Sequence, residues 1–225
     1  LSSSVSSGGK AFEASSEVAA FLFDFDGVLF DTEKCWAMAN QAIFAHFGKT
    51  IYFEEASRFC YGRNGKDVMR DVMRIFAIDE GDFDDLIAFE QATTERIKLS
   101  EDFAIPESIA FFLRMADRVP VAIVSGSREE SIRKAAAISA CGDFLGKAAF
   151  IQSTSGLPRG KPDPLCYQLA LERLGARPGA TVVVEDSAVG IQAAKGAGTK
   201  VIALARPEAF AQDTTLADWV VPSLD

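Results

Sequence analysis

Four short apolar runs, each ending immediately or one residue before a polar residue, constrain the fold of this chain more than any other sequence feature. The runs are continuous rather than alternating, which is typical of strands that are covered on both faces of a sheet. We therefore predict four buried strands. The runs are Val18 to Phe23, Val119 to Val124, Thr181 to Val184 and Lys200 to Leu204.

Helical patterns lie between the later runs. Asp163 is predicted to be the N-cap of one helix, with Pro164 as its first helical residue. Strands that alternate with helices favour a parallel sheet with right-handed crossovers. We therefore expect an α/β fold whose core is a doubly wound, Rossmann-like sheet built from residues 18–32 and 103–225. The predicted helices span Glu129 to Ser139, Pro164 to Leu174 and Ala188 to Ala197.

Residues 33–102 interrupt the alternation of strands and helices, because they contain several helical patterns and no convincing strand. We expect them to form an all-helical domain, inserted after the first strand and able to move over the sheet. Residues 1–17 are rich in Ser, Gly and Ala and are predicted to be a flexible tail. The predicted helices of the insertion span Glu33 to Phe47, Glu54 to Phe59, Lys66 to Phe76 and Phe83 to Leu99.

Composition excludes several classes of partner. The 23 Lys and Arg residues against 32 Asp and Glu residues give a net charge of −9, which argues against nucleic acid and anionic membranes. No apolar run approaches the roughly 18–20 residues that span a bilayer. The only histidine, His46, excludes a His-rich zinc site and is interpreted as a structural helix residue. No exposed apolar helix or heptad stands out, so a monomer is expected.

The cysteines are scattered, without a Cys-x-x-Cys pair, in a chain too large to need a disulfide framework. We interpret them as buried thiols in a reducing cytoplasm. They are Cys35, Cys60, Cys141 and Cys166.

Two aspartates mark the end of the first predicted strand. Asp24 and Asp26 are two residues apart on an extended chain, so both project to the same side. In open α/β sheets ligands bind outside the carboxyl ends of the strands, so both carboxylates are expected to face one crevice. Taken alone, the Asp-x-Asp-Gly string is equally consistent with turn caps around Gly27.

The other strand ends carry complementary groups. Ser125-Gly126-Ser127 offers a hydroxyl and backbone N–H groups to an anion, although alone it is only a turn signal. Lys161 lies in a loop stiffened by prolines, where a lone lysine is normally solvated. Glu185-Asp186 follows a buried run, where adjacent acids are costly unless they bind a cation or lie in a wet crevice. Together these groups suit Mg²⁺ and phosphate.

With these residues the chain resembles the haloacid dehalogenase superfamily, specifically its phosphatases and phosphomutases with a helical cap inserted after the first motif. The resemblance covers Phe21 to Val221. The residues similar to the four family motifs are Asp24 to Glu33, Ser125, Lys161 in Lys161-Pro162-Asp163-Pro164, and Glu185-Asp186-Ser187 with Gly190.

The resemblance implies a role for each of these residues. Asp24 would be the nucleophile that forms an aspartyl-phosphate, and Asp26 would be the general acid and later the general base. The implied Mg²⁺ ligands are the Asp24 carboxylate, the Asp26 backbone carbonyl, Asp186 and, as a further candidate, Glu185. The implied phosphate-binding groups are Ser125, the N–H of Gly126, and Lys161. In the cap, Arg63 and Lys66 are candidates for gripping the leaving group, or they form a solvated basic loop.

We therefore expect a cytoplasmic, Mg²⁺-dependent phosphatase of small phosphorylated metabolites, such as sugar or polyol phosphates. A phosphomutase resembling beta-phosphoglucomutase is the main alternative, but those enzymes carry a histidine where this chain has Trp36. A phosphonate hydrolase would need a cap lysine, such as Lys66, to form a Schiff base. A dehalogenase would not need Asp26 or the Glu185-Asp186 pair. An inactive regulatory module would not need the motif residues.

Overall fold

The computed structural model describes residues 18–60, 65–207, 209 and 211–225. Within them the strands are β1 (Ala20–Phe23), β2 (Val121–Ser125), β3 (Ile151–Ser153), β4 (Thr181–Glu185), β5 (Lys200–Leu204) and β6 (Trp219–Val221). The α-helices are α1 (Thr32–His46), α2 (Phe53–Cys60), α3 (Gly65–Phe76), α4 (Phe83–Lys98), α5 (Pro106–Ala116), α6 (Glu129–Ala137), α7 (Leu165–Leu174) and α8 (Ala188–Gly196). Short 3-10 turns cover Glu80–Asp82, Leu145–Lys147 and Pro178–Ala180.

The strands form one parallel sheet in the order β3-β2-β1-β4-β5-β6. Strand β1 is central, with Phe21 opposite Val121 of β2 and Val182 of β4. The chain therefore runs from β1 through β2 to β3 on one side, and then crosses back to place β4, β5 and β6 on the other side of β1. Such a reversal of strand order opens a crevice at the carboxyl ends of the strands. The predicted α/β fold is confirmed.

Successive side chains of β1 enter opposite layers of the core. Phe21 and Phe23 pack on the face that also holds Phe112 of α5, whereas Leu22 packs with Tyr167 of α7 on the other face. Full burial of such an apolar side chain contributes roughly 1.5–3 kcal/mol. Both faces of the sheet are therefore covered, and this packing holds the ends of the strands in position.

The helices α1 to α4 follow β1 directly and have an apolar cluster of their own. Its members include Phe44 of α1, Met69 of α3 and Leu86 of α4, and α1 packs against both α2 and α4. The bounds 33–102 for an inserted domain stay a prediction. The predicted tail, 1–17, lies outside the described residues.

The predicted elements differ from the observed ones at a few places. The edge strands β3 and β6 and the helix α5 were not predicted. Pro164, rather than Asp163, is the N-cap of α7, because its carbonyl accepts the first helical hydrogen bonds, from Tyr167 and Gln168. The Asp163 carboxylate still accepts a hydrogen bond from the N–H of Leu165 at 3.0 Å.

The thiols and the histidine differ in part from expectation. All four cysteines are free, but Cys141 is half-buried, which corrects its predicted burial. Burial raises the pKa of the Cys35 thiol to about 12. His46 ends α1 on an exposed face, with its ring 4.5 Å from the ring of Phe89. Among the described helices, none is long and apolar enough to cross a membrane.

Candidate active site

The turn after β1 brings the first motif against the end of β4. Asp24 continues β1, and its N–H donates to the carbonyl of Val184 at 2.9 Å. Gly27 has a φ of 77°, and a Cβ at this position would overlap the Asp186 carboxylate. Glycine is therefore required here both for the positive φ and for the close approach.

Lys161 links the first and fourth motifs. Its ammonium donates to Asp24 Oδ1 at 2.8 Å, to Glu185 Oε1 at 2.6 Å and to the carbonyl of Val124 at 3.2 Å. Desolvation would lower the pKa of Lys161, but the charges of Asp24 and Glu185 outweigh it and hold that pKa well above its usual value. Lys161 is therefore a permanently charged group between two carboxylates.

Glu185 is fully buried and is held by protein donors at both oxygens. Its Oε1 accepts from Lys161 and, at 2.8 Å, from the Tyr167 hydroxyl. Its Oε2 accepts from the Ser187 hydroxyl at 3.0 Å. Sequence reasoning missed Tyr167, because nothing in the pattern of α7 distinguishes it from an ordinary core residue. A direct bond from Glu185 to a metal stays a prediction.

Three carboxylates form a compact acidic cluster. One oxygen each from Asp24, Glu185 and Asp186 lie within 4.8 Å of one another. Desolvation, with the charges of Glu185 and Asp26, raises the pKa of Asp24 to about 8, although Lys161 partly opposes this. Desolvation and the charges of Glu185 and Asp24 raise the pKa of Asp186 well above its usual value. Lys161 alone does not balance three carboxylates, so this set of hard oxygen donors fits a divalent cation such as Mg²⁺.

Asp26 turns toward the loop after β2 and toward α4. Its Oδ2 accepts from the Ser125 hydroxyl at 2.7 Å, and its Oδ1 accepts from the Ser127 hydroxyl at 3.1 Å. The Lys98 ammonium lies 3.5 Å from Oδ1. Desolvation would raise the pKa of Asp26, but Lys98 and the two hydroxyls outweigh it and hold that pKa below its usual value. Asp26 is therefore an ionised, half-buried carboxylate in this arrangement.

The predicted phosphate-binding residues differ in whether they face the cleft. Gly126 and Lys161 line the cleft, whereas Ser125 is fully buried and donates its hydroxyl to Asp26. The Ser125 hydroxyl would have to leave Asp26 to bind a phosphoryl oxygen. Its predicted role stays a prediction.

The cleft above the cluster has a volume of about 430 Å³. Lys66 is exposed at the start of α3 and is not among the residues lining the cleft. Arg63 lies outside the described residues. The leaving-group contacts proposed from sequence for these two residues therefore stay predictions. The lining residues are Asp24, Asp26, Gly27, Thr32, Glu33, Gly126, Thr154, Gly160, Lys161, Asp186, Ser187 and Val189.

Fold and site together define an α/β protein with an acidic, lysine-bridged centre where the strand order reverses. The family model described as haloacid dehalogenase-like hydrolase matches residues 18–198. The chain therefore belongs to the haloacid dehalogenase-like hydrolase family.

Individual relatives are similar over most of their length. The chain is 30% identical to a phosphorylated carbohydrates phosphatase of Thermotoga maritima, over 80% of this chain and 81% of that protein. It is 27% identical to a fructose-1-phosphate phosphatase of Escherichia coli, over 80% and 93%. A solved hydrolase of this family from Deinococcus radiodurans, with bound phosphate and sodium, has a TM-score of 0.73 and 26% identity, over 92% of each chain.

Proposed function

We propose that this protein is a Mg²⁺-dependent phosphatase that hydrolyses phosphate monoesters of small metabolites of the sugar or polyol phosphate class. The observation that carries the proposal is the Lys161 ammonium bonded to both Asp24 and Glu185, directly beside Asp186. Asp24 is thereby oriented at the head of the cleft. The phosphatases among the relatives support the substrate class.

The reaction proceeds in two displacements. A carboxylate oxygen of Asp24 forms a bond to phosphorus while the bond from phosphorus to the ester oxygen breaks, and that oxygen takes a proton from Asp26. A water molecule then gives a proton to Asp26 and attacks phosphorus. The bond to Asp24 breaks, which releases inorganic phosphate and restores both carboxyl groups.

Proton transfer by Asp26 depends on its hydrogen-bond partners. In the observed arrangement the hydroxyls of Ser125 and Ser127 favour the ionised carboxylate. When Ser125 turns its hydroxyl to a phosphoryl oxygen, Asp26 loses one of these donors. Its proton affinity then rises, because hydrogen bonds to the charged form lower a pKa. Substrate binding thereby prepares Asp26 to act as an acid.

The carboxylates of Asp24 and Asp186, with the backbone carbonyl of Asp26, would hold the Mg²⁺. When bound, Mg²⁺ supplies positive charge that reduces repulsion between the Asp24 carboxylate and the phosphoryl group. Lys161 supplies a positive charge beside Asp24, and Glu185 keeps Lys161 in place.

The proposal is tested by measuring phosphate release from sugar phosphates, nucleotides, phosphoglycolate and an aryl phosphate, with Mg²⁺ and with chelator. We expect Mg²⁺-dependent release from a subset of the esters. Conversion of glucose 1-phosphate to glucose 6-phosphate is followed in parallel. Conversion without phosphate release would establish the mutase instead. Trp36, which replaces the mutase histidine, donates to Glu90 at 3.2 Å and argues against that outcome.

We propose a monomer that acts in the cytoplasm on a small phosphorylated metabolite. Arg63 and Lys66 are the proposed leaving-group contacts from the helical segment. Replacing Arg63 by Ala should change the preference among sugar phosphates more than the rate on an aryl phosphate.

A further inference from the structure

Lys98 is a buried cation that the helical segment contributes to the catalytic centre. It is the last residue of α4, and its side chain is only 7% exposed. Its ammonium lies 3.5 Å from Asp26 Oδ1 and 3.4 Å from the Ser127 hydroxyl. It also lies 5.4 Å from the centre of the Phe25 ring. A buried ammonium is costly unless it is paired, so its pairing with Asp26 has to offset that cost.

The last turn of α4 is attached to the sheet domain at a second point. Glu95, three residues before Lys98, accepts a hydrogen bond from the Ser131 hydroxyl of α6 at 2.8 Å. Residues three apart share one face of a helix. That face of α4 therefore contacts both α6 and the serine loop after β2, and its position determines where the Lys98 ammonium lies.

We propose that Lys98 is a positioning residue for Asp26, through which the helical segment sets the direction of the catalytic acid. Two partners of the Asp26 carboxylate, Ser125 and Ser127, belong to the sheet domain, and the third belongs to α4. A shift of the last turn of α4 therefore changes the set of bonds that orients Asp26. This inference rests on the proposed function, because it assigns Asp26 the role of general acid.

The test compares two substrates that differ in their need for a proton. An alkoxide, such as a sugar oxygen, leaves poorly without a proton, whereas nitrophenolate leaves well without one. The kcat/KM value reports only steps up to phosphoryl transfer to Asp24, so the later role of Asp26 as a base does not enter. Removing the Lys98 charge also raises the proton affinity of Asp26, which by itself favours the acid. We expect misdirection of the carboxyl group to outweigh this gain, so that Lys98→Met lowers kcat/KM for a sugar phosphate about 10-fold and for nitrophenyl phosphate less than about 3-fold, a part of the range that general acids contribute.

Further variants separate positioning from stability. Lys98→Arg keeps the charge and should restore most of the sugar phosphate activity. Ser131→Ala removes the other attachment of the same turn without touching Asp26, so it should lower the ratio of the two kcat/KM values in the same direction as Lys98→Met but by a smaller factor. Lys98→Gln replaces Lys98→Met if the latter is unstable, with the same change expected. In the Asp26→Asn background, Lys98→Met should change neither value further.

Two outcomes would overturn the inference in different ways. If the wild-type protein releases phosphate but Lys98→Met lowers both kcat/KM values equally, or neither, Lys98 has no positioning role while the proposed function stands. If the wild-type protein releases phosphate from no ester, the proposed function fails and the inference fails with it.

Discussion

At the scale of single residues, Lys161 holds the acidic centre together, because it is the shared ion-pair partner of two buried carboxylates. Its side chain is 11% exposed and satisfies two carboxylates from different strands, Asp24 and Glu185. Removing one member of a buried ion pair is far more damaging than removing an exposed one, because the remaining charges stay buried without a partner. Lys161 therefore supports folding as well as chemistry.

The stability of a Lys161→Met variant measures this effect. Urea unfolding in chelator should show a loss of about 3 kcal/mol relative to the wild-type protein. Lys195 is a matched control, since it pairs with Asp218 at 2.8 Å but its side chain is 31% exposed. Lys195→Met should cost about 1 kcal/mol or less. Similar losses in both variants would contradict the structural role assigned to Lys161.

Asp24→Asn separates chemistry from folding at the proposed nucleophile. The amide keeps the shape of the side chain but cannot form the phosphoryl ester, so turnover should fall by at least about 10³-fold. Circular dichroism and the melting temperature should stay close to those of the wild-type protein, because Lys161 keeps Glu185 as its partner and the cluster loses one of three mutually repelling carboxylates. An Asp24→Asn variant that keeps its activity would remove Asp24 from the nucleophile role.

At the scale of elements, the turn between β1 and α1 carries the strictest local requirement. Gly27 has a positive φ and faces the Asp186 carboxylate, whereas Gly48 has a φ of 79° with nothing within 4 Å of a Cβ. The two glycines therefore share a backbone requirement but differ in their surroundings. This difference separates the cost of the turn from the cost of displacing a metal ligand.

Replacing each glycine by Ala tests that distinction. Gly48→Ala should lose roughly 1 kcal/mol of stability, because a left-handed conformation is unfavourable for any residue with a Cβ. Gly27→Ala should lose more, because its Cβ would also overlap the Asp186 carboxylate. Only Gly27→Ala should also weaken Mg²⁺ binding in calorimetric titrations, because its methyl group displaces Asp186. Equal Mg²⁺ affinities in the two variants would show that the Gly27 contact does not matter for the cation.

The elements also show what sequence reasoning can and cannot predict. The continuous apolar runs predicted β1, β2, β4 and β5, because a strand covered on both faces has few polar residues. The strands β3 and β6 have only three residues each, which is too short for a periodic signal. The contact between Lys98 and Asp26 was not predicted either, since a lysine in the last turn of a helix is normally a solvated cation.

At the scale of the whole molecule, the order of the strands assembles the centre. Asp24 and Lys161 are 137 positions apart, and they meet because β1 lies between β2 and β4. The motifs predicted which residues would gather, since Asp24, Ser125 and Glu185 lie at the ends of strands of one parallel sheet and Lys161 lies in the loop before α7. They did not predict the bonds of Ser125 to Asp26 or of Tyr167 to Glu185, because those depend on how side chains pack within the crevice.

Cation binding should stabilise the whole chain if the acidic cluster is its site. At a Mg²⁺ concentration 100 times Kd, the free energy of unfolding should rise by about 2.7 kcal/mol. This corresponds to an increase of roughly 5–10 °C in the melting temperature, which chelator should reverse. Asp186→Asn should abolish most of the shift, whereas Asp213→Asn, at an exposed acid, should not. If the melting temperature of the wild-type protein is the same with Mg²⁺ and with chelator, the acidic cluster is not the cation site.

The separate apolar cluster of α1 to α4 has a consequence for the history of the protein. Because Phe44, Met69 and Leu86 pack with one another rather than with the sheet, substitutions of these residues leave the packing around β1 undisturbed. Cys35 and Ile97, at the two ends of the segment, pack instead against the core that contains β1. Mutations can therefore change the surface of the helical segment while the residues at the strand ends keep their arrangement. Lys98 limits this freedom, because any lineage that reshapes the end of α4 must still present a cation to Asp26.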